Sequence, residues 1–409
     1  MKRNVVALIV VATAMLLMVS VAQAATPTIA TGDSRTVAQP TYPAVCQTLS
    51  AEGTTSSGTD QTSQITTALA ACAGKGSVVL ASSGSNNAFW AKGFAMASNE
   101  ALVINSGVTL RGNAYTTQFI NPAGSNISIM GPGTIDGGSV SKMRLINTGS
   151  ITNFTVYDVT LQNAGMMNLY VQGGNGFTAW GITVREAATT KNTDGVDIDS
   201  MTNATVANSD IEDGDDCIAV KTNAAAVSNV TIKGTKCHGT HGLSIGSQTF
   251  DGVSNILFEN NYIYGDDLSG TVSSDNQGIR IKTDPTCGGH VDTVEYLNTC
   301  ETGVRDQIWL DTYYGSCSGT AGTPWFTNIV INGVYSVSSP SGPSSEFYGY
   351  NASNIMTVWL ENISLDGTDI QKKSQYANIG LYNSNITPTG TGITTYAYAG
   401  SGSIPACTF

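Results

Sequence analysis

Apolar and polar positions alternate in short runs through most of the chain, and Gly, Asn, Asp and Ser separate the runs. Alternation with a period of two is typical of β-strands, and helical spacing is rare in this chain. One phrase recurs: a small or polar residue, then Asn, then alternating apolar positions, as in Thr152-Asn153-Phe154-Thr155-Val156. The asparagines of this phrase are Asn126, Asn153, Asn175, Asn203, Asn229, Asn255, Asn328 and Asn354.

Successive asparagines of this phrase follow one another at intervals in the twenties, and the gap from Asn255 to Asn328 is close to three such intervals. A strand-rich repeat with a period in the twenties indicates a solenoid. The leucine framework of a leucine-rich repeat is absent. We therefore predict an all-β fold, a single-stranded right-handed parallel β-helix, in which Asn at a fixed turn position tolerates left-handed backbone and can hydrogen-bond to its copies above and below. The alternative is a β-sandwich in which Asn recurs by chance.

A solenoid needs a cover over its open end, and the sequence offers one near the start. Asp60-Gln61-Thr62-Ser63-Gln64-Ile65 is typical of a helix start, and Ile65, Leu69 and Cys72 then fall on one face. We predict a short N-terminal capping helix that packs on the first coil.

The chain begins as secretory signals do. Lys2 and Arg3 precede an apolar stretch, Val5–Val21, and the small-residue site Ala22-Gln23-Ala24. We predict a signal peptide over residues 1–24, an N-terminal extension over 25–45 and a β-helix catalytic domain over 46–409. The mature protein is then secreted, extracellular or periplasmic, monomeric and free of the membrane. An uncleaved membrane anchor is the alternative, because the apolar stretch is nearly long enough to span a bilayer.

The charge composition limits the classes of partner that the protein can bind. Only 12% of residues are charged and the net charge is -12, so no basic stripe is present to neutralise the phosphates of a nucleic acid. An anionic polysaccharide stays possible if a few cations lie together in one cleft.

The eight cysteines form an even set behind a signal peptide, which predicts disulfides. Short separations favour Cys46 with Cys72 and Cys217 with Cys237, and elimination then pairs Cys287 with Cys300 and Cys317 with Cys407. No C-x-x-C spacing points to a zinc site.

Acidic residues are scarce but crowd one region. The chain advances by about one coil from Asp194 to Asp216 and by about one coil again from Asp216 to His241, so the three side chains should stack. Stacked carboxylates push one proton affinity upward, an arrangement that suits glycoside hydrolysis by an acid and a base. Asp215 and Asp216 are adjacent, so the backbone must bend, and Gly214 supplies the freedom.

A Ca²⁺ site is the structural alternative for these aspartates. No twelve-residue loop with a closing Glu follows them, so we expect no metal and no cofactor. Arg280 and Lys282, two apart on a strand, project from the same face and suit a carboxylated sugar, although a surface charge pair is the simpler interpretation. His241 is predicted to hydrogen-bond one carboxyl group, whereas His238 and His290 have no such context.

Four motifs resemble those of the polygalacturonases, glycoside hydrolase family 28, in order and spacing. They are Asn192-Thr193-Asp194, Gly214-Asp215-Asp216, His241-Gly242 and Arg280-Ile281-Lys282. The resemblance implies hydrolysis of α-1,4-galacturonosidic bonds of polygalacturonate or pectin with inversion. Asp215 would be the general acid, and Asp194 and Asp216 would activate water, with carboxyl groups roughly 6.5–9.5 Å apart.

The resemblance also implies the substrate contacts. His241 would tune Asp215, and Asn192, Arg280, Lys282 and Tyr314 would bind the sugar, with Tyr313 as the second choice for the tyrosine. Two positions depart from the family. Thr240 stands where Gly is usual and would add bulk beside the cleft, and Gln277 stands where Asn is common.

Three other functions stay open. A related hydrolase could act on xylogalacturonan or rhamnogalacturonan, but the retained Arg280-Ile281-Lys282 favours plain galacturonan. A pectate lyase shares the β-helix but requires calcium. A non-catalytic carbohydrate-binding protein would not need the complete set of acid, base and cations.

Overall fold

The computed structural model describes residues 27–115, 118–315, 317–342, 344–366 and 374–409. The predicted signal peptide, residues 1–24, lies outside the described residues. Across these ranges the chain forms one helix, α1 (Thr62–Cys72), and thirty strands that pair in parallel. No helix in the described ranges is long and apolar enough to cross a bilayer.

The strands form three ladders that run the length of the molecule. The longest contains β1 (Val45–Ser50), β2 (Ser77–Ala81), β5 (Ala101–Ile104), β8 (Gly124–Met130), β11 (Ile151–Tyr157), β13 (Leu169–Trp180), β15 (Val196–Ala207), β18 (Val227–Lys233), β21 (Val253–Tyr264), β23 (His290–Thr302), β25 (Trp325–Val337), β27 (Met356–Ser364), β29 (Ala377–Ser384) and β30 (Thr394–Ala397). The second contains β3 (Ala88–Ala91), β6 (Thr109–Gly112), β9 (Thr134–Asp136), β12 (Thr160–Gln162), β14 (Thr183–Arg185), β16 (Asp210–Glu212) and β19 (Lys236–His238), and it continues into β21.

The third ladder carries the candidate site. It contains β4 (Phe94–Met96), β7 (Ile120–Pro122), β10 (Ile146–Asn147), the first residues of β13 and β15, β17 (Ile218–Lys221), β20 (Leu243–Ile245), β22 (Gln277–Lys282), β24 (Asp306–Asp311), β26 (Ser344–Tyr348) and β28 (Ser374–Gln375). Successive coils stack in parallel, and right-handed crossover connections are the rule for parallel strands. The predicted right-handed parallel β-helix is confirmed, and the β-sandwich alternative is wrong.

Apolar residues one coil apart fill the interior in register. One inward row of the longest ladder is buried along its length and runs through Ile127, Phe154, Phe177, Ala204, Val230 and Ile256. Each coil is too thin to bury this surface alone, so the core exists only because neighbouring coils cover one another.

The asparagine ladder lies at the turn before the alternating positions. Asn126, Asn153, Asn203 and Asn229 have φ between 57° and 59°, in the left-handed region that Asn tolerates better than most residues. The Asn153 amide donates to the Asn126 side chain at 2.9 Å, and the Asn126 amide donates to that of Asn99 at 3.1 Å. The left-handed backbone is confirmed at these four positions and the ladder of hydrogen bonds at Asn126 and Asn153, whereas Asn175 and Asn354 do not have left-handed backbone.

The capping helix is confirmed as well. Ile65, Leu69 and Cys72 of α1 are buried against the first coils. The Cys46–Cys72 disulfide ties the helix to β1.

Two predicted disulfides are confirmed, Cys46–Cys72 and Cys217–Cys237, and the other two predictions are wrong. The structure pairs Cys287 with Cys317 and Cys300 with Cys407. The extended strand β23 separates Cys287 from Cys300, and at about 3.3 Å per residue it carries them too far apart for a disulfide. The C-terminal segment folds back to place Cys407 beside β23.

Residues 31–42 form a segment, here called the N-terminal strap, that runs along the outside of the longest ladder. Its bonds reach Asn255 at one end, from the N–H of Thr31 at 2.7 Å, and Tyr157 at the other, from the amide of Gln39 at 2.7 Å. Between them, Arg35 donates to the carbonyl oxygen of Phe177 at 2.6 Å. The strap therefore ties several coils together from outside.

We expect Arg35→Ala to lower the free energy of unfolding by about 1–3 kcal/mol, because it leaves the buried Asp33 carboxylate without its cation. The Asp33 side chain is only 3% exposed. Lys92→Ala is the matched control, because Lys92 and Asp60 form an exposed pair that should be worth less than about 1 kcal/mol. Urea unfolding followed by circular dichroism measures both, and equal losses would contradict the role given to the strap.

Candidate active site

Asp194, Asp216 and His241 lie at equivalent positions on consecutive coils of the third ladder. Each precedes its strand, β15, β17 or β20, by two residues, and the first residues of these strands pair in register. Adjacent parallel strands are about 4.8 Å apart, so the three side chains form a column. The structure places them as the coil period predicts.

Asp215 lies beside this column at the turn before β17. The turn needs a glycine at 214, since a Cβ there would lie 2.1 Å from the carbonyl oxygen of Thr190. The close approach of this carbonyl oxygen therefore requires the glycine, and its backbone conformation does not, because Gly214 is not among the glycines with left-handed backbone. Carboxylate oxygens of Asp215 and Asp216 come within 4.8 Å of each other. These oxygens are closer than the roughly 6.5–9.5 Å expected from sequence between the carboxyl groups of an inverting pair, because one tight turn carries both residues.

Two predicted site residues hold the Asp215 carboxylate from opposite sides. Nδ1 of His241 is 3.1 Å from Oδ1, and the Asn192 amide donates to Oδ2 at 3.3 Å. The main-chain N–H of His241 also donates to the Asp215 carbonyl oxygen at 2.6 Å. Asp215 is thus oriented and remains partly exposed to the cleft, as a group that transfers a proton must be.

Thr240 does not add bulk to the cleft, contrary to the expectation from sequence. Its side chain is buried, and its hydroxyl donates to the Asp215 carbonyl oxygen at 2.7 Å. The same hydroxyl accepts from the N–H of Gly242 at 3.2 Å. Gln277 is buried too. Both side chains are therefore buried and add no bulk to the surface of the cleft.

Asp216 is buried in a cluster of donors. Lys282 Nζ lies 2.7 Å from one carboxylate oxygen, Arg280 lies 3.2 Å from the other, and the Ser244 hydroxyl donates at 2.7 Å. Burial alone would raise the pKa of Asp216, but the charges of Lys282 and Arg280 outweigh it and hold the pKa below its usual range. The two cations predicted to bind a substrate carboxylate thus already neutralise Asp216, and their contact with substrate stays a prediction.

Asp194 has the opposite electrostatic environment. It is buried, its Oδ1 has no hydrogen-bond partner among the described residues, and the nearest cation, Lys221, is 3.6 Å from Oδ2. Burial, followed by the charge of Asp197, raises the pKa of Asp194 well above its usual range, although Lys221 opposes the shift. The column therefore contains one carboxyl group whose pKa is raised and one whose pKa is lowered.

Lys221, Asp197 and Ser244 complete the site and were missed from sequence. Lys221 is buried and forms an ion pair with the fully buried Asp197. The burial of this pair and the contact of Ser244 with Asp216 depend on side-chain direction. One signal was available, since Lys221 follows Asp197 by about one coil of the repeat.

The exposed side of the column opens into a cleft of about 500 Å³ lined by Asp215, His241, Asn192, Lys191 and Tyr314, among others. The Tyr314 ring lies 5.0 Å from the Arg280 guanidinium and 5.2 Å from the Lys282 ammonium, so it covers both cations. Tyr313 is not among the residues that line the cleft, and its ring packs against Tyr348 and Tyr350. Of the two tyrosines proposed from sequence, the cleft contains Tyr314.

The donor atoms of Asp215, Asp216 and His241 lie within 4.8 Å of one another, a spacing that a cation could bridge. Asp216 already contacts Lys282 and Arg280, so little negative charge is left for a metal ion. The chemistry of the donor set fits proton transfer better than metal binding.

The chain is similar to known proteins over most of its length. The model of the family described as Glycosyl hydrolases family 28 matches residues 46–386. An endo-polygalacturonase of Pectobacterium carotovorum subsp. carotovorum is 32% identical over 81% of this chain and 90% of its own length. A polygalacturonase of Ralstonia solanacearum is 29% identical over 83% of each chain.

Solved structures show the same fold. The polygalacturonase of Erwinia carotovora ssp. carotovora superposes with a TM-score of 0.76 at 30% identity and covers 85% of this chain and 99% of its own. The exopolygalacturonase of Thermotoga maritima has a TM-score of 0.66 at 14% identity, covering 85% and 89%. At that identity the likeness shows the fold alone.

We expect Lys221→Met to lower the free energy of unfolding by about 3–5 kcal/mol at neutral pH, because it leaves Asp197 buried without its cation. The deficit should shrink as the pH falls. Burial already raises the folded-state pKa of Asp197 above the unfolded-state value, and the loss of Lys221 raises it further. The cost of burying the charged Asp197 carboxylate is therefore fully present above the folded-state pKa and vanishes below the unfolded-state pKa.

Urea unfolding of the variant at several pH values measures this dependence. The double variant Lys221→Met/Asp197→Asn is the control, and its loss should be smaller than the sum of the two single losses. A deficit that stays constant with pH would contradict the assigned partnership.

Proposed function

The chain belongs to glycosyl hydrolases family 28 and is a polygalacturonase-type glycoside hydrolase, and on that premise we propose that it hydrolyses the α-1,4-galacturonosidic bonds of polygalacturonate, the backbone of pectin. One observation carries the proposal: a partly exposed aspartate, held by His241 and Asn192, has a carboxylate oxygen within 4.8 Å of one of a second aspartate, which two cations contact. An acid and a base side by side are what glycoside hydrolysis needs.

Asp215 is the general acid of the proposed reaction. In its protonated form it gives its proton to the glycosidic oxygen while the bond from that oxygen to the anomeric carbon breaks. His241 and Asn192 fix the direction of the carboxyl group, and His241 Nδ1 provides a polar partner for the carboxylate left after transfer.

Asp194 and Asp216 have different roles towards the attacking water. The ionised Asp216 accepts a proton from the attacking water, whose oxygen forms the new bond to the anomeric carbon. Asp194, with its raised pKa, orients that water through a hydrogen bond. Lys221 supports the pair from beneath by neutralising Asp197.

The substrate carboxylate is proposed to change the basicity of Asp216. Lys282 and Arg280 contact Asp216 in the free enzyme, and an incoming galacturonate competes for the same two cations. Sharing them raises the pKa of Asp216 and makes it a stronger base when substrate is in place. A free carboxylate at this position therefore both binds and activates, while Tyr314 and Asn192 contact the sugar ring.

We propose inversion of configuration because the family resemblance implies it. The close approach of Asp215 and Asp216 does not by itself separate inversion from retention. Proton NMR of the first anomer released from polygalacturonate decides the question. Release of the β-anomer supports inversion of the α-linkage, and the α-anomer contradicts it.

The mature enzyme is proposed to be a secreted monomer, with cleavage of the signal peptide after Ala24, residues 25–45 as an extension and 46–409 as the catalytic domain.

We propose that the enzyme cuts the polysaccharide at internal bonds, since relatives at 32% identity are named endo-polygalacturonases. Ultraviolet absorbance of the products separates hydrolysis from a lyase reaction, whose products are unsaturated. A rate on xylogalacturonan or rhamnogalacturonan above that on polygalacturonate would replace the proposed substrate.

Asp215→Asn should abolish release of reducing sugar from polygalacturonate and leave the circular dichroism spectrum unchanged, because the amide cannot give up a proton to the leaving group. Asp251→Asn is the control, since Asp251 is exposed and away from the cleft. Turnover of Asp215→Asn near that of the control would overturn the assignment of the acid.

Lys282→Met should raise KM and move the acidic limb of the kcat/KM profile to higher pH. Without the ammonium, the pKa of the buried Asp216 rises, so protonation removes the base sooner as the pH falls. Lys282→Arg retains a cation and should keep a profile close to that of the wild type. The same acidic limb in all three proteins would contradict the role given to Lys282.

A further inference from the structure

The turn before β17 carries Asp215, and two side chains hold the main chain of this residue from opposite sides. Oδ1 of Asp213 accepts from the N–H of Asp215 at 2.9 Å. The Thr240 hydroxyl, from the next coil, donates to the Asp215 carbonyl oxygen at 2.7 Å. Asp213 is fully buried, and Thr240 is 1% exposed. We call Asp213 and Thr240 the main-chain clamp.

The main-chain clamp lies outside the surface that a substrate can reach. Asp215 lines the cleft, and neither Asp213 nor Thr240 is among the lining residues. A sugar in the cleft can therefore contact the carboxyl group of Asp215 but neither residue of the clamp. Any effect of the clamp on the reaction must pass through the main chain of Asp215.

The carboxyl group of Asp215 depends on its main chain for its position. Its side-chain bonds are at or beyond the usual length of about 2.9–3.0 Å, with His241 Nδ1 at 3.1 Å and the Asn192 amide at 3.3 Å. The bonds to its main chain are shorter, since the N–H of His241 donates to the carbonyl oxygen at 2.6 Å and the clamp adds 2.9 Å and 2.7 Å. The turn therefore fixes where the carboxyl group can stand, and the side-chain partners fix how it is rotated.

Asp213 occupies an unfavourable place for a residue that only closes a turn. Its Oδ2 has no hydrogen-bond partner among the described residues. Burial raises the pKa of Asp213 well above its usual range, although the N–H of Asp215 opposes the shift. The charges of Asp194, Asp215 and Asp216 raise this pKa further. A neutral Asp213 still offers a carbonyl oxygen to the N–H of Asp215 and adds no further negative charge beside the three aspartates.

We propose that Asp213 and Thr240 are positioning residues, which fix the place of the Asp215 carboxyl group by holding the N–H and the carbonyl oxygen of its main chain. The inference rests on the proposed function, in which Asp215 is the general acid. Catalytic groups must be held to within about 0.5 Å of their productive geometry, so a loosened turn should slow the reaction and leave substrate binding intact. The glycine that is usual in the family at position 240 has no hydroxyl and could not form this half of the clamp.

The test compares kcat and KM on polygalacturonate for two pairs of variants with those of the wild type. Asp213→Ala removes the acceptor and should lower kcat about tenfold to a hundredfold, a cost typical of a misplaced catalytic group, while KM changes less than about twofold. Asp213→Asn retains a carbonyl oxygen for the same N–H and should keep kcat. Thr240→Val should lower kcat less, because the N–H of His241 still donates to the same carbonyl oxygen. Thr240→Ser retains the hydroxyl and should keep the wild-type kcat.

Asp292→Ala is the matched control, because the Asp292 carboxylate accepts three side-chain hydrogen bonds on β23 of the longest ladder and does not line the cleft. It should lower the resistance to urea and leave kcat unchanged. A kcat of Asp213→Ala equal to that of the control would overturn the proposal, and so would a loss in Asp213→Asn as large as in Asp213→Ala.

A rise in KM without a fall in kcat would assign the clamp to substrate binding and overturn the proposal too. If Asp213→Ala does not fold, the Thr240 pair decides, because equal kcat values of Thr240→Val and Thr240→Ser would contradict a role for the hydroxyl. A wild type without activity on polygalacturonate would instead reject the proposed function.

Discussion

In-register stacking of coils is the constraint on which the rest of the structure depends. Residues one period apart in sequence come within about 5 Å in space, whatever their chemistry. Apolar residues at such positions make the core, and asparagines make a hydrogen-bonded ladder. The same rule brings Asp194 and Asp216 together on neighbouring coils, where two like charges are unfavourable unless something compensates them.

Cations compensate the charges of the two aspartates unequally, and the proposed reaction depends on this difference. Lys282 and Arg280 both contact Asp216, whereas Lys221 is shared between Asp197 and a more distant Asp194. Buried charges without partners would cost several kcal/mol, so these cations stabilise the fold as well as set the ionisation of each aspartate. The fold and the proposed reaction therefore depend on the same ion pairs.

The sequence predicts the features that repeat with the coil period, and it predicts less well those that depend on the direction of a side chain or of the backbone. The asparagine period indicated the β-helix, and a step of one period placed Asp194 over Asp216. Thr240 was misjudged because its hydroxyl turns inward to a carbonyl oxygen. The Cys287 and Cys300 pairing failed because the intervening strand is extended.

Neighbouring carboxyl groups of the column are expected to differ in protonation, since the pKa of Asp194 is raised and that of Asp216 is lowered. Neutron diffraction of a deuterium-exchanged crystal at about pH 4.5 tests it directly, because deuterons are visible by that method. We expect a deuteron on the Asp194 carboxyl group and none on Asp216, whose two oxygens face Lys282, Arg280 and Ser244. A deuteron on Asp216, or an Asp194 carboxylate without one, would contradict it.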